Sequence, residues 1–153
     1  MQRFSLRCLP ACPAATAKIC GSEKYPDLQG TISFFSVPCG TVVVSEVTGL
    51  PADGFFAMHI HNGSACSGNA QDPFADAGSH LNLSDCSVPH PFHTGDLLPL
   101  MSNQGYAWSA FLTERFKPCE VRGYPVIIHK NPDDFHTQPS GNAGEKIACG
   151  IIR

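Results

Sequence analysis

The stretch Gly54-Phe-Phe-Ala-Met-His-Ile-His-Asn62 decides the fold of this chain, because it combines a β-strand pattern with two closely spaced histidines. It is apolar and aromatic, and it follows the turn Pro51-Ala-Asp-Gly54, as is typical of a strand. Alternate side chains of a strand share a face, so His59 and His61 are expected to point the same way. Two imidazoles on one face of a strand supply half of a copper or zinc site. The alternative is a strand with two hydrogen-bonded histidines, and the other histidines must decide between the two.

Composition predicts one β-rich domain. The chain has 153 residues, including 14 glycines and 13 prolines, and only 15% of its residues are charged. This mixture favours short strands joined by turns over a helical bundle. We expect a disordered tail over residues 1–13 and a single domain over residues 14–153.

The charge and hydropathy patterns argue against two classes of partner. The net charge is −3 and the ten lysines and arginines form no cluster, so nucleic-acid binding is not expected. No apolar run approaches the roughly 20 residues that a membrane-spanning helix needs, so no membrane partner is expected.

Turn residues divide the chain into about eight predicted strands. Besides the histidine strand, these cover residues 14–19, 28–37, 41–48, 97–101, 106–112, 121–129 and 145–152. Strands at this spacing predict an antiparallel sandwich or barrel, without a convincing helix. Two long segments, residues 63–94 and 132–141, lack a regular pattern. A loop as long as the first is either disordered or functional in a compact domain, and its three histidines favour function.

The remaining histidines suggest two metal sites. His80, His90 and His93, with Asp96 three residues later, have the ligand types of a filled tetrahedral zinc site, which would order the loop. His59, His61 and His129 then form an all-nitrogen set suited to copper. Two further side chains need no metal role: Cys86 is most simply a buried or free thiol, with a soft metal ligand as the alternative, and His136 is most simply a solvated loop histidine.

Five ordered motifs carry a family resemblance. They are Gly54-Phe-Phe-Ala-Met-His-Ile-His61, Ala77-Gly-Ser-His-Leu-Asn82, His93-Thr-Gly-Asp-Leu97, Ile127-Ile-His-Lys-Asn-Pro-Asp-Asp134 and Ser140-Gly-Asn-Ala-Gly-Glu-Lys-Ile-Ala-Cys-Gly150. With them the chain resembles a copper/zinc superoxide dismutase, in a short-loop, bacterial-like variant. The resemblance implies an all-β fold, an eight-stranded antiparallel Greek-key β-sandwich or barrel (immunoglobulin-like) with two long functional loops.

The resemblance also implies roles for individual residues. The implied copper ligands are His59, His61, His80 and His129, and the implied zinc ligands are His80, which bridges the metals as an imidazolate, with His90, His93 and Asp96. Asp133 matches the aspartate that hydrogen-bonds a copper ligand and a zinc ligand together and so orients them. Cys66 and Cys149 match the intrasubunit disulfide. Lys146 is the implied docking cation for the substrate anion, and His80 the implied proton carrier.

Three departures from the family pattern bear on function. Only two residues separate His90 from His93, which makes His90 the least secure ligand. The loop after His129 is short, which leaves copper more open. Lysine stands at position 146 where the family has arginine, so the positive charge remains but the planar fork of donors is lost. A solvated lysine paired with Glu145 or Asp134 is the alternative for this side chain.

The expected function is therefore dismutation of superoxide to oxygen and hydrogen peroxide by copper redox cycling, with a structural zinc. The alternative is a non-enzymatic copper-binding protein of the same fold, a buffer or delivery domain. A third idea, thiol-based redox sensing, follows from the cysteines that have no implied role: Cys8, Cys12, Cys20, Cys39, Cys86 and Cys119. We expect a cytoplasmic location, with secretion or the periplasm as alternatives, and the resemblance allows a homodimer.

Overall fold

The computed structural model describes residues 9–84 and 87–153, so Cys8, Cys86 and most of the predicted tail lie outside the described residues. Within these ranges the chain forms nine strands and two short 3₁₀ helices. The strands are β1 (Ala15–Gly21), β2 (Gln29–Val37), β3 (Gly40–Thr48), β4 (Gly54–Phe56), β5 (Met58–Ile60), β6 (Leu100–Ser102), β7 (Ala107–Thr113), β8 (Pro125–His129) and β9 (Lys146–Ile151). The 3₁₀ helices are Ala75–Ala77 and Pro118–Glu120.

The strands make one large curled antiparallel sheet and one small one. Seven strands pair in the order β5-β8-β9-β1-β2-β3-β7, and β4 pairs with β6. The backbone bridge between Asn103 and Tyr106 lies in the turn that joins β6 to β7. Pairs of strands that are distant in sequence, such as β3 with β7 and β1 with β9, give the crossover connections of a Greek key. The all-β antiparallel fold expected from the sequence is confirmed.

The histidine strand differs from its prediction, because it is two strands. At Ala57 the chain changes partners: β4 pairs with β6, whereas β5 pairs with β8. Ala57 itself donates its N–H to the carbonyl of Asn131 and accepts from the N–H of His129. This exchange explains why the structure has nine strands where the sequence predicts about eight.

The core lies inside the curled sheet. Alternate residues of β1 are buried, as expected for a strand with one face on a core, whereas β3 alternates only in its second half and buries residues 41–43 in succession. The largest fully buried apolar side chains include Ile32, Phe34, Ile60, Leu100 and Ile128. A second, smaller apolar cluster lies on the outer face and joins the first long loop to the sheet through Phe74, Ala77, Ile127 and Cys149.

Two long connections leave this frame at its β5 and β8 side. One runs from His61 to the start of β6, and the other from Lys130 to the start of β9. The disulfide between Cys66 and Cys149 ties the first connection to β9, with the two Cα atoms 5.7 Å apart. No helix among the described residues is long and apolar enough to span a bilayer.

Candidate metal centre

Strand ends bring four histidines to one place. His59 lies in β5, His129 ends β8, and the backbone of His61 bridges to that of His80. The ligand atoms of these four histidines lie within 4.8 Å of one another, and these four residues are the predicted copper set. Strands that share a ladder hold such positions firmly, because each backbone is fixed by its neighbour.

Two of these rings are aimed by backbone carbonyls. His61 Nδ1 donates to the carbonyl of Gly78 at 2.8 Å, and His129 Nδ1 donates to the carbonyl of Gly144 at 3.1 Å. When Nδ1 carries the proton of a neutral ring, Nε2 keeps its lone pair. The two Nε2 atoms face each other at 3.3 Å. Two lone pairs at this distance repel unless a proton or a cation lies between them.

Burial keeps these rings neutral. Burial first, and then the charge that His129 would carry, lowers the pKa of His61 to about 2. Burial likewise lowers the pKa of His129 to about 3, with His59 as the next cause. The pKa of His59 is lowered for the same first reason, although its hydrogen bond to Asp133 opposes the shift. Neutral imidazoles are the form that binds copper and zinc.

The second predicted set converges on Asp96. Its Oδ1 lies 2.7 Å from His80 Nδ1, and its Oδ2 lies 3.2 Å from His90 Nδ1 and 3.1 Å from His93 Nδ1. Burial acts to raise the pKa of Asp96, but the hydrogen bond and charge of His80 outweigh it and the pKa is lowered. His90, the least secure ligand in the sequence, is buried within this set.

His80 is common to both sets. Its ring centroid lies 3.9 Å from that of His59 and 5.1 Å from that of His61 on one side. On the other side it lies 5.5 Å from the ring of His90 and 5.7 Å from that of His93. A single imidazole between two ligand sets has one nitrogen for each.

Buried histidine nitrogens that make no hydrogen bond show whether this cluster suits metal ions. Among the described side chains, four buried ring nitrogens make no hydrogen bond: His59 Nδ1, His80 Nε2, His90 Nδ1 and His93 Nδ1. The last two lie within 3.2 Å of Asp96 Oδ2, but without the geometry of a hydrogen bond. Buried polar atoms without partners are costly, so such a cluster indicates a missing ligand. His59 also lies close enough to His80, His90 and Asp96 to count with the second set. Because its Nε2 is engaged by Asp133, His59 has only Nδ1 left and can serve one of the two sets.

Asp133 connects the two sets from behind. It accepts a hydrogen bond from His59 Nε2 at 2.7 Å and another from His90 Nε2 at 2.8 Å. Burial acts to raise the pKa of Asp133, but hydrogen bonds from His59, the Phe135 amide and His90 lower it to about 2. An ionised carboxylate therefore fixes both rings with Nδ1 facing the metal positions.

Lys146 lies beside the copper set, but its ammonium is not free. The register of β8 and β9 places it opposite His129. Its Nζ donates to Asp72 Oδ2 at 2.7 Å and to the carbonyl of Phe74 at 3.1 Å. The sequence suggested Glu145 or Asp134 as an alternative partner; Glu145 instead pairs with Lys24, at 3.1 Å. His136 is exposed and pairs with Asp134, outside both ligand sets.

Sequence reasoning did not identify Asp72 or the carbonyls of Gly78 and Gly144. Asp72 lies 74 positions from Lys146 in a segment without a motif. A carbonyl group carries no residue-type signal, so no sequence pattern would have marked these two. The free thiols among the described residues, Cys12, Cys20, Cys39 and Cys119, lie outside the cluster.

A curled antiparallel sheet with two adjoining ligand sets, one all-histidine and one completed by aspartate, defines a dinuclear metalloprotein. The comparisons with known proteins agree with that class. The chain belongs to the copper/zinc superoxide dismutase family, because residues 28–152 match the family model described as copper/zinc superoxide dismutase (SODC).

Individual relatives support the assignment. The chain is 35% identical over 142 residues to a Cu-Zn superoxide dismutase of Deinococcus radiodurans, covering 82% of this chain and 78% of that protein. It is 29% identical to a Legionella pneumophila Cu-Zn superoxide dismutase, covering 90% and 86%. The solved structure of the Brucella abortus Cu/Zn superoxide dismutase has the same fold, with a TM-score of 0.79 at 24% identity, covering 91% of this chain and 99% of that one.

Proposed function

We propose that this protein converts superoxide to oxygen and hydrogen peroxide at a copper and zinc pair that its own histidines bind. The observation that carries the proposal is the cluster of unpartnered ring nitrogens around His80. We assign copper to His59, His61, His80 and His129, and zinc to His80, His90, His93 and Asp96. Copper held by these four histidines would supply the one-electron redox couple that dismutation of superoxide needs.

The chain's residues supply orientation and protons. The carbonyls of Gly78 and Gly144 and the carboxylate of Asp133 hold the ligand rings in fixed tautomers, so little reorganisation is needed during turnover. Peroxide formation consumes protons, and His80 Nε2 is a buried nitrogen that has no hydrogen-bond partner among the described residues. We assign this nitrogen the role of holding one of the two protons and donating it to the product while it is not bound to copper, because one lone pair cannot bind a proton and a metal at once.

Lys146 gives the site a local positive charge in a chain of net charge −3. A cation near an anionic substrate's path raises the rate of encounter. Because Asp72 already pairs with the ammonium, we propose that Lys146 steers superoxide less strongly than an unpaired cation would. The homodimer and the compartment suggested by the resemblance stay predictions.

The alternative function, a copper buffer without turnover, is not favoured. A buffer needs ligands, but it needs no proton carrier and no cation beside the metal. The proximity of Lys146 to His129 and of His80 to both sets supports the enzyme.

Metal analysis combined with a superoxide-consumption assay tests the proposal. Reconstituted protein should hold one copper and one zinc per chain and consume superoxide. His129→Ala should lose copper affinity and activity by at least about 100-fold, since it removes a direct ligand. The control His136→Ala should match the wild type, because that ring is 80% exposed and outside the ligand sets. Two bound metals without superoxide consumption would establish the buffer instead.

A further inference from the structure

The segment that carries most zinc ligands has little structure of its own. His90, His93 and Asp96 lie within seven residues that form no helix or strand. By contrast, His59 and His129 of the copper set lie in paired strands. Contacts from elsewhere in the chain must therefore fix the zinc ligands.

Arg115 makes the first such contact. One of its nitrogens, Nη1, donates to the carbonyl of Pro91 at 2.9 Å, of His93 at 3.1 Å and of Asp96 at 3.1 Å. Nη1 has two hydrogens, so at least one is shared between carbonyls. The backbone carbonyls of two proposed zinc ligands, His93 and Asp96, therefore share one hydrogen-bond donor that lies outside the loop.

The backbone beside Arg115 is anchored to the core. The next residue, Phe116, is buried, and its ring packs against Phe34 with centroids 6.2 Å apart. The hydroxyl of Thr41, which is fully buried in β3, donates to the Phe116 carbonyl at 2.7 Å. These contacts fix the position of the Arg115 guanidinium relative to the main sheet.

Gln138 makes the second contact, from the other long loop. Its Oε1 accepts from the backbone N–H of His90 at 2.9 Å, and its Nε2 donates to the carbonyl of His90 at 2.8 Å. One amide thus satisfies both backbone groups of a residue that has no strand partner. The ring of the same histidine is held by Asp133, five residues earlier in that loop.

We propose that Arg115 and Gln138 are positioning residues that set the zinc affinity of this protein while leaving the affinity of the copper set nearly unchanged. The proposal rests on the zinc site proposed above. The reason is the set of groups that Arg115 and Gln138 contact. All five of their hydrogen bonds reach the backbone of the 90–96 segment, and none reaches His59, His61 or His129.

The test measures zinc and copper affinities separately, by chelator competition on metal-free protein. Arg115→Met removes the donors but keeps much of the side chain's length. Gln138→Glu keeps the acceptor for the His90 N–H and removes the donor to the His90 carbonyl. Each should weaken zinc binding by about 10–100-fold, the range for groups that orient ligands, and change copper affinity by less than about threefold. Cobalt(II) added in place of zinc should show an altered visible absorption spectrum in both variants.

Two further variants make the result specific. Arg122→Met is the matched control, because Arg122 also donates to a backbone carbonyl, but to that of Ala14, outside the 90–96 segment. Arg115→Lys should recover part of the zinc affinity, since an ammonium offers three donors on one nitrogen. Wild-type zinc affinity in both Arg115→Met and Gln138→Glu, or an equal loss in Arg122→Met or in copper affinity, would overturn the proposal. If the wild type itself binds no zinc, the proposed metal centre fails instead.

Discussion

At the scale of single residues, Lys146 differs most from expectation, because its ammonium is already paired. Burial acts to raise the pKa of Asp72, but the hydrogen bond from Lys146 outweighs it and the pKa is lowered, so the pair is ionic. The side chains are 15% and 39% exposed, so solvent screens the pair and an anion can compete for the ammonium.

This pairing predicts opposite effects for its two members. Lys146→Ala should lower kcat/KM for superoxide about 3–10-fold at low ionic strength and weaken its salt dependence, since a steering charge is lost. Asp72→Asn should raise kcat/KM about twofold, because it frees the ammonium. Stopped-flow decay of superoxide at several salt concentrations measures both. An unchanged rate and salt dependence in Lys146→Ala would remove this residue from the mechanism.

Substitution of Asp133 should weaken the binding of both copper and zinc. Asp133→Asn should weaken copper and zinc binding by about 10–100-fold each, because the hydrogen bonds to His59 and His90 both change. Asp27→Asn, at an exposed carboxylate, is the control. Chelator competition provides the affinities. A loss confined to one metal would mean that the carboxylate orients only one ring.

At the scale of elements, the disulfide holds the first long loop on the sheet. That loop carries Asp72, the partner of Lys146, and Gly78, whose carbonyl aims His61. Removing the bond therefore changes the site as well as the stability.

Cys66→Ser should lower the free energy of unfolding of the metal-free protein by about 2–4 kcal/mol, because the bond closes a loop of 83 residues. Copper affinity should fall as well. Urea unfolding under oxidising conditions measures the first effect. Cys119→Ser is the control, since this thiol is free and exposed. Equal stability of the two variants would contradict the tethering role.

At the scale of the whole molecule, the buried histidines couple folding to pH. The folded chain keeps His61 and His129 neutral, with pKa values of about 2 and about 3. The unfolded chain protonates them near their ordinary value of about 6.5. The unfolded state thus binds more protons as the pH falls, so acid favours unfolding.

These two rings should therefore remove about 3 kcal/mol of the metal-free protein's stability between pH 7.5 and pH 5.5, roughly 1.4 kcal/mol for each ring, and the lowered pKa of His59 adds a loss of the same sign. Stability should be nearly constant above pH 7.5 with respect to these groups. Urea unfolding at the two pH values measures the change. The control His136→Gln should show the same slope, because that ring is exposed. A metal-free protein equally stable at both pH values would contradict this account.

Much of the fold was predictable because its signals are local. Turn residues and β-formers placed most strands to within a few residues. The exceptions arose where the partner strand decides the boundary: the histidine strand divides at Ala57, and the strand predicted from residue 121 begins at Pro125, after a short 3₁₀ helix. Pairing with distant strands set these ends, and local propensity does not contain that information.

By itself, the sequence determined the residue types of the candidate ligands, the alternation that sends His59 and His61 to one side, and the motifs that name the family. Only the tertiary structure decided which groups aim those ligands. The ion pair of Lys146 with Asp72 spans 74 positions, the contact of Gln138 with His90 spans 48, and Arg115 reaches back 24 positions to Pro91. The physical reason is that a ligand's chemistry belongs to one side chain, whereas its orientation depends on contacts that exist only once distant segments have packed together.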